Sequence, residues 1–351
     1  MTMVFAVRAS AQNVPAASAD TPSIRLGTTI FANYTCQSEP TLTDADGNTV
    51  HRNAFDLTRA YLNVTGNLSR VVAFRLTPDI ARETDVSSAL SGSLVFRIKY
   101  GFVQTNLDDW TGAGSYARFG IQQTPYLDYM EGIYRYRFQG TMFTERAGYY
   151  ASADAGASFR YAVPGNYGEV HFGVFNGENY NKAEVNNQKG FMVRGTARPF
   201  AAGPSILRGL RAGVFYDADR YVSHAERTRL VTHVTFEQTY VHAGFEYLDA
   251  HDQTSAVSGI PNVHSRGYSV WATPKQSASS VGWEGLLRFD HLTPNRTVDS
   301  TQDRVIVGVA YWFPHQGNVT SALMVDYDGQ LFENVTTAPN KSVAVHALVN
   351  F

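Results

Sequence analysis

Residues 342–351 read SVAVHALVNF, and the run stops on an aromatic ring with no polar tail to solvate it. Val343, Val345, Ala347, Val349 and Phe351 fall on one side of an extended chain. Soluble domains usually end in segments that fray into water. An alternating strand that finishes on Phe is instead what the closing strand of a barrel in a lipid bilayer requires.

The same period of two recurs along the chain. In GSLVFRIKYGF, Leu94, Phe96, Ile98, Tyr100 and Phe102 share one face, opposite Val95, Arg97, Lys99 and Gly101. In SYARFGIQQ, Ala117, Phe119 and Ile121 oppose Tyr116, Arg118, Gly120 and Gln122. In RTRLVTHVTFEQ, Leu230, Thr232, Val234 and Phe236 oppose Arg229, Val231, His233 and Glu237. About sixteen such segments begin near residues 23, 54, 69, 93, 115, 153, 167, 189, 208, 226, 240, 265, 281, 303, 317 and 341. Each runs roughly 10 to 13 residues, the length a tilted strand needs to cross a bilayer. Ordinary globular strands average nearer 5 or 6.

Short connections (Gly66-Asn67, Pro164-Gly165, Glu237-Gln238-Thr239, Pro314-His315-Gln316) take turns with long ones at 35–53, 126–152, 250–264 and 329–340. Periplasmic turns and extracellular loops alternate in this way in outer-membrane barrels. The connection at 103–114 is longer than its side of the barrel would favour.

Composition agrees. Aromatics make up 13% of the 351 residues, with 20 Tyr and 21 Phe, and such residues belt the membrane–water interfaces. Mean hydropathy is -0.23, and no apolar run approaches the 18 or so residues of a spanning helix. The net charge of -2 argues against a nucleic-acid partner. Cys36, the single cysteine, reads as structural. In hydrocarbon every backbone N–H and C=O must be paired within the protein, which a closed sheet achieves without a free edge. The apolar faces then point to lipid and the charged faces to the bore. The fold expected is all-β: a 16-stranded antiparallel transmembrane β-barrel with an inward-folded third loop. Residues 1–11 read as the remnant of a signal peptide with its cleavage motif at Ala9-Ser10-Ala11, 12–22 as a periplasmic N-terminal segment, and 23–351 as the barrel.

Several stretches resemble the phosphate-selective porin O and P family of Gram-negative outer membranes. They are DGNTVHRNAFDLTRAYLNVTGNL (residues 46–68), ARFGIQQTPY, FTERAGYY and FGVFNGEN. The resemblance implies a 16-stranded barrel in the bacterial outer membrane, a homotrimer, that carries small solutes by passive diffusion. Outer-membrane lipid and lipopolysaccharide are then its surroundings, and no cofactor is implied. The third loop lacks a Lys-rich stretch, which sets phosphate specificity apart from the rest of the expectation.

Sixteen strands leave an aqueous channel that something must narrow. The segment LDYMEGIYRYRFQGTMFTERAG, residues 127–148, is too long and aromatic for a solvated loop. It offers Tyr134, Arg135, Tyr136 and Arg137 as cations and phenols for a constriction, with Asp128, Glu131 and Glu145 as the opposing charge. On the wall, alternation places Arg25, Arg75, Arg97, Lys99, Arg118, Arg160, Arg194 and Arg198 inward, with Arg59 beside them and Asp56, Asp79 and Glu169 as the acids. The second half is mixed: Asp217, Glu237, Glu246, Glu284, Asp290 and Asp326 against Arg211, Arg229 and Arg288. A basic wall favours anions; Arg–carboxylate pairs that merely brace the barrel are the alternative. No metal site is expected. The histidines show no ligand spacing, and Asp44, Asp46 and Asn48 lack the Glu of a calcium loop. His242 and Glu246 share a strand face with no nucleophilic Ser aimed at them, so no enzyme is expected.

Overall fold

The computed structural model describes residues 21–83, 85–222, 225–253, 262–298, 300–315 and 317–351. The leader expected at 1–11 and nearly all of the segment expected at 12–22 lie outside them. The strands are β1 (Ser23–Glu39), β2 (Leu42–Thr43), β3 (Thr49–Val50), β4 (Asn53–Asn67), β5 (Val72–Arg82), β6 (Leu94–Asn106), β7 (Tyr116–Gln123), β8 (Ala153–Val163) and β9 (Gly168–Phe175). There follow β10 (Gly190–Ala197), β11 (Leu210–Val222), β12 (Ala225–Gln238), β13 (Val241–Asp252), β14 (Val263–Pro274), β15 (Gly282–Asn295), β16 (Ser300–Trp312), β17 (Thr320–Glu333) and β18 (Asn340–Asn350). β2 and β3 form a small hairpin of their own; the other sixteen close into one antiparallel barrel. Every barrel strand begins within three residues of the position expected from alternation.

The alternating stretch at residues 342–351 forms the seam. β18 pairs with β1, setting Val349 beside Ile30, Val345 beside Tyr34 and Val343 beside Cys36. Val343, Val345 and Val349 are exposed on the outside, and Ala344, His346 and Leu348 are buried inside. The same division holds on β7, where Phe119 is 74% exposed while Tyr116, Arg118 and Gln122 are buried, and on β12, where Leu230 and Val234 face out over buried Arg229, Val231 and His233. An apolar outer face with a polar inner one is stable only against acyl chains. At the short-turn end Tyr311 stands between Trp283 and Phe313, ring centroids 5.0 and 5.1 Å away, part of an interfacial aromatic belt.

Three expectations need correction. On β6, Tyr100 and Phe102 do not share the outer face with Leu94, Phe96 and Ile98. The β5–β6 register shifts between Thr77 and Pro78, so Thr77 faces Tyr100 and Pro78 faces Ile98. The bulge turns Tyr100 and Phe102 inward beside Lys99, all three buried. Gly66-Asn67 and Glu237-Gln238 are not turns but strand ends; the chain reverses at 68–71 and at 239–240. Nor are the turns uniformly short, because 198–209 joins β10 to β11 on the same side.

The third difference concerns the bore. Its wall is not polar all round: Phe215, Val231, Leu248, Trp271, Leu286 and Ile306, on β11 to β16, are fully or almost fully buried inner-face residues that belong to one apolar cluster. That half of the wall is a seat.

Candidate functional site: a lumen narrowed by the third loop

The loop between β7 and β8 sits on that seat. Gln123 ends β7, and Pro125 then begins the helix α1 (Pro125–Glu131), where its missing N–H costs nothing. Tyr126, Leu127 and Met130 line the buried side of α1. A second turn of helix, α2 (Phe143–Arg146), buries Phe143 and Thr144. The rings between and around them dock on the wall. Tyr126 stacks on Phe215 at 5.3 Å, Tyr134 meets Trp271 edge-on at 5.1 Å, and Tyr136 and Phe138 meet Trp312 at 5.8 and 5.7 Å. Wall side chains then hold the loop backbone: Arg194 Nε donates to the Pro125 carbonyl at 2.8 Å, and an Arg288 Nη donates to that of Thr141 at 2.9 Å. Tyr126 Oη donates to the Glu246 carboxylate.

The structure divides the candidate constriction residues into two groups. Tyr134 and Tyr136 are anchors against the wall. Arg135 lies flat on Trp312, its guanidinium carbon 3.3 Å from the ring centroid, with Glu284 at 3.5 Å and the Ser280 carbonyl at 3.1 Å. Arg137 sits between Glu131 at 2.6 Å and Glu145 at 3.0 Å, bracing α1 against α2. Asp128 turns toward Arg118 of β7 at 3.8 Å. Burial pushes the Glu131 carboxyl up, beyond what Arg137 restores. Burial acts on Glu145 too, but Arg137 and Lys99 outweigh it and hold that carboxyl below its ordinary range.

With the loop seated on β11 to β16, the open space lies on the other side. A cavity of about 130 Å³ separates it from β1 and β4 to β6. Glu131, Tyr134, Arg135 and Arg137 border it from the loop; Tyr61, Asn63, Arg75, Lys99 and Tyr100 border it from the wall. A second cavity, of about 140 Å³, lies between α1 and the wall around Arg160, Glu169, Arg194 and Arg211.

The candidate wall residues Arg75, Arg97, Lys99, Arg118, Arg160 and Arg194 point inward; Arg25 is exposed near the start of β1, and Arg198, expected on the wall, lies past the end of β10 in the 198–209 connection, where its Nε donates to the Arg208 carbonyl. Arg75 donates to Thr77 Oγ1 at 2.9 Å and to Asn63 Oδ1 at 3.0 Å. Arg97 and Arg59 share Asp79, at 3.4 and 3.0 Å. Arg160 and Arg194 share Glu169. Arg118 donates to Gln104 at 2.9 Å and lies over the Tyr116 ring at 4.0 Å. Lys99 stands apart. Its ammonium donates to Tyr61 Oη at 2.9 Å and lies among the rings of Tyr61, Tyr100 and Tyr180. No ion pair involves it among the described residues.

The inner acids of the second half are paired or bonded: Asp217 with Arg229, Glu237 with Arg211, Glu284 with Arg135, Asp290 with Arg288, Asp326 with His346, and Glu246 with the Tyr126 phenol. Bracing pairs thus run along most of the circumference, and on β4 to β7 the inward cations outnumber the inward carboxylates. Sequence alternation missed Tyr61, Asn63 and Tyr100 as lining residues. Tyr61 and Asn63 lie two residues apart in AYLNV, a spacing that carries both to one face. Asp44, weighed for a calcium loop, forms a turn instead, its Oδ1 accepting from the backbone N–H of Asp46 at 3.0 Å and Asn48 at 2.8 Å.

Known proteins share this architecture. The family described as phosphate-selective porin O and P matches residues 37–244, more than half of the chain. An anion-selective porin from Comamonas acidovorans superposes with a TM-score of 0.63 at 12% identity, over 94% of this chain and 100% of that one. The in-vitro folded, trimeric form of OmpT from Vibrio cholerae gives 0.57 at 14% identity over 94% and 100%. The outer-membrane channel DcaP of Acinetobacter baumannii gives 0.58 at 11% identity over 94% and 97%. No curated protein matches the sequence.

Proposed function

The chain belongs to the phosphate-selective porin O and P family of bacterial outer-membrane channels for small solutes, and from that premise we propose that it is a passive diffusion porin with a mild preference for anions. The observation that carries the preference is the charge of the wall facing the loop. β4 to β7 present Arg59, Arg75, Arg97, Lys99 and Arg118 inward, against Asp56 and Asp79. The Asp79 carboxylate is shared by two guanidiniums, and Lys99 donates to a phenol and makes no ion pair among the described residues. Low-dielectric walls focus such a field into the passage.

The loop itself adds little net charge, because Arg137 is held between Glu131 and Glu145 and Arg135 by Glu284. It also contains no Lys. Both points favour general diffusion with anion preference over a dedicated phosphate channel. The candidate site is accordingly the passage between Glu131, Arg137 and the Arg75–Lys99–Tyr61 wall. A homotrimer embedded in lipopolysaccharide is its assembly, in keeping with the trimeric form among the similar structures.

The test is the reversal potential of single channels in a planar bilayer under a KCl gradient. The sign of chloride preference is expected. Clear potassium preference would remove the reading.

A further inference from the structure

Away from the bore, on the outer face of the barrel, β13 and β14 bring together two histidines and a carboxylate that the sequence keeps apart. His251 and His264 are directly opposed across the strand pair, and Asp249 lies one pair further along, opposite Arg266. The imidazoles stack with centroids 3.8 Å apart. Both Nε2 atoms approach one oxygen, Asp249 Oδ1, at 3.0 Å from His251 and 3.2 Å from His264. The three ligand atoms lie within 4.8 Å of one another. The cluster is at the long-loop end of both strands, and the His251 side chain is 56% exposed.

We propose that Asp249, His251 and His264 form a binding site for a divalent transition-metal ion of the Zn²⁺ class on the outer rim of the barrel. Two imidazole nitrogens and one carboxylate oxygen are the donor set that Zn²⁺, Ni²⁺ and Cu²⁺ take. The spacing fits as well. Two ligand atoms each about 2.1 Å from a shared ion stand 3.0 to 3.2 Å apart when they subtend about 91 to 99° at it; those separations are present without the ion. Arg266 Nε donates to Asp249 Oδ2 at 2.6 Å. It fixes the carboxylate and leaves Oδ1 to bind as a single donor, the outer-shell role that orients metal ligands. Arg296 Nη1 stands 3.4 Å from His264 Nδ1. On metal binding the His264 proton moves from Nε2 to Nδ1, and the exposed Arg296 turns outward. The remaining coordination positions face solvent and take water.

Zn²⁺ titration by calorimetry on the detergent-solubilised, untagged full chain tests this, with heat-modifiable gel mobility as the check on folding. One equivalent per chain is expected. His251→Ala, His264→Ala and Asp249→Asn each weaken it by about tenfold or more, and His291→Ala, another outer-face histidine of this rim, leaves it unchanged. With Cu²⁺ as the probe, the electron paramagnetic resonance spectrum should carry hyperfine coupling from two nitrogens and lose one in either His variant. No uptake of Zn²⁺ from the micromolar to the millimolar range, or uptake that survives in the folded His251→Ala/His264→Ala double variant, overturns the proposal.

Discussion

Replacing Lys99 by Met removes one positive charge from the wall of the passage while keeping the length and apolar stem of the side chain. The ammonium lies beside Tyr61, whose ring borders the cavity. An ion resting against that phenol stands about 6 Å from Nζ, where a unit charge contributes about 0.7 kcal/mol at the permittivity of water and about 2.8 kcal/mol at an effective value near 20. With a Debye length of about 10 Å at 0.1 M salt, the lower figure falls to about 0.4 kcal/mol. Losing the charge weakens the attraction of an anion and relieves the repulsion of a cation by the same amount. The selectivity ratio therefore moves by about 0.8 kcal/mol or more, about fourfold toward potassium. The assay is the reversal potential in KCl gradients centred on 0.1 M, wild type against Lys99→Met. In 1 M salt, where the Debye length is about 3 Å, the difference should vanish. A folded Lys99→Met channel whose ratio at low salt stays within twofold of wild type refutes the reasoning.

Other outcomes follow from the same geometry. Arg137→Ala leaves Glu131 and Glu145 facing each other without their shared cation, and breaking a buried pair costs about 3 to 5 kcal/mol; the third loop should loosen and single-channel current become noisier, with the barrel still resisting SDS at room temperature. Phe119→Arg places a charge on the lipid face near the middle of β7, at a cost of about 2 to 4 kcal/mol at the bilayer midplane; refolding into liposomes should need correspondingly less urea to reverse, whereas unchanged stability would place this face elsewhere. Glu131, with its raised pKa, takes up its proton at higher pH than an ordinary carboxyl, while Glu145 stays ionised beside Arg137 and Lys99. Anion preference should therefore grow as pH falls from 7 into the range just above that of ordinary carboxylates, and a fall in preference over that interval contradicts the assignment.

Strand number, strand starts and facing were legible in β7, β12 and β18 because one face must meet hydrocarbon and the other water, and that demand writes a period of two into the residues themselves. It failed at β6 for a local reason. A bulge between Ile98 and Tyr100 advances the chain by one residue without changing its composition, so Tyr100 and Phe102 continued the apolar row on paper while turning inward in space. The seat for the third loop was hidden for a related reason. Val231, Leu248, Leu286 and Ile306 stand in inner rows that also carry polar and charged residues, each next to an outward apolar residue such as Leu230, Tyr247, Leu287 or Val305, and alternation has no contrast to read at such a point. The loop residues were found by length and aromatic content, but their roles were not, because only the packed structure separates Tyr136, which docks on Trp312 away from the cavity, from Glu131 and Arg137, which face it. The Asp249–His251–His264 cluster depends on strand pairing across a connection of ten residues, information that lies in no local spacing beyond the D-x-H of one strand.

The central claim is that solutes pass along the basic wall of β4 to β7 while the third loop covers the wall of β11 to β16. Thiol labelling during single-channel recording tests it most directly, in a Cys36→Ser background that removes the exposed native thiol. At Arg97→Cys, whose native side chain is 29% exposed to the bore, a charged methanethiosulfonate should lower the current in a step. At Leu286→Cys, a position fully buried beneath the loop, the current should not change. The reverse pattern, with block at position 286 and silence at 97, would place the pathway on the other side of the loop and contradict the account.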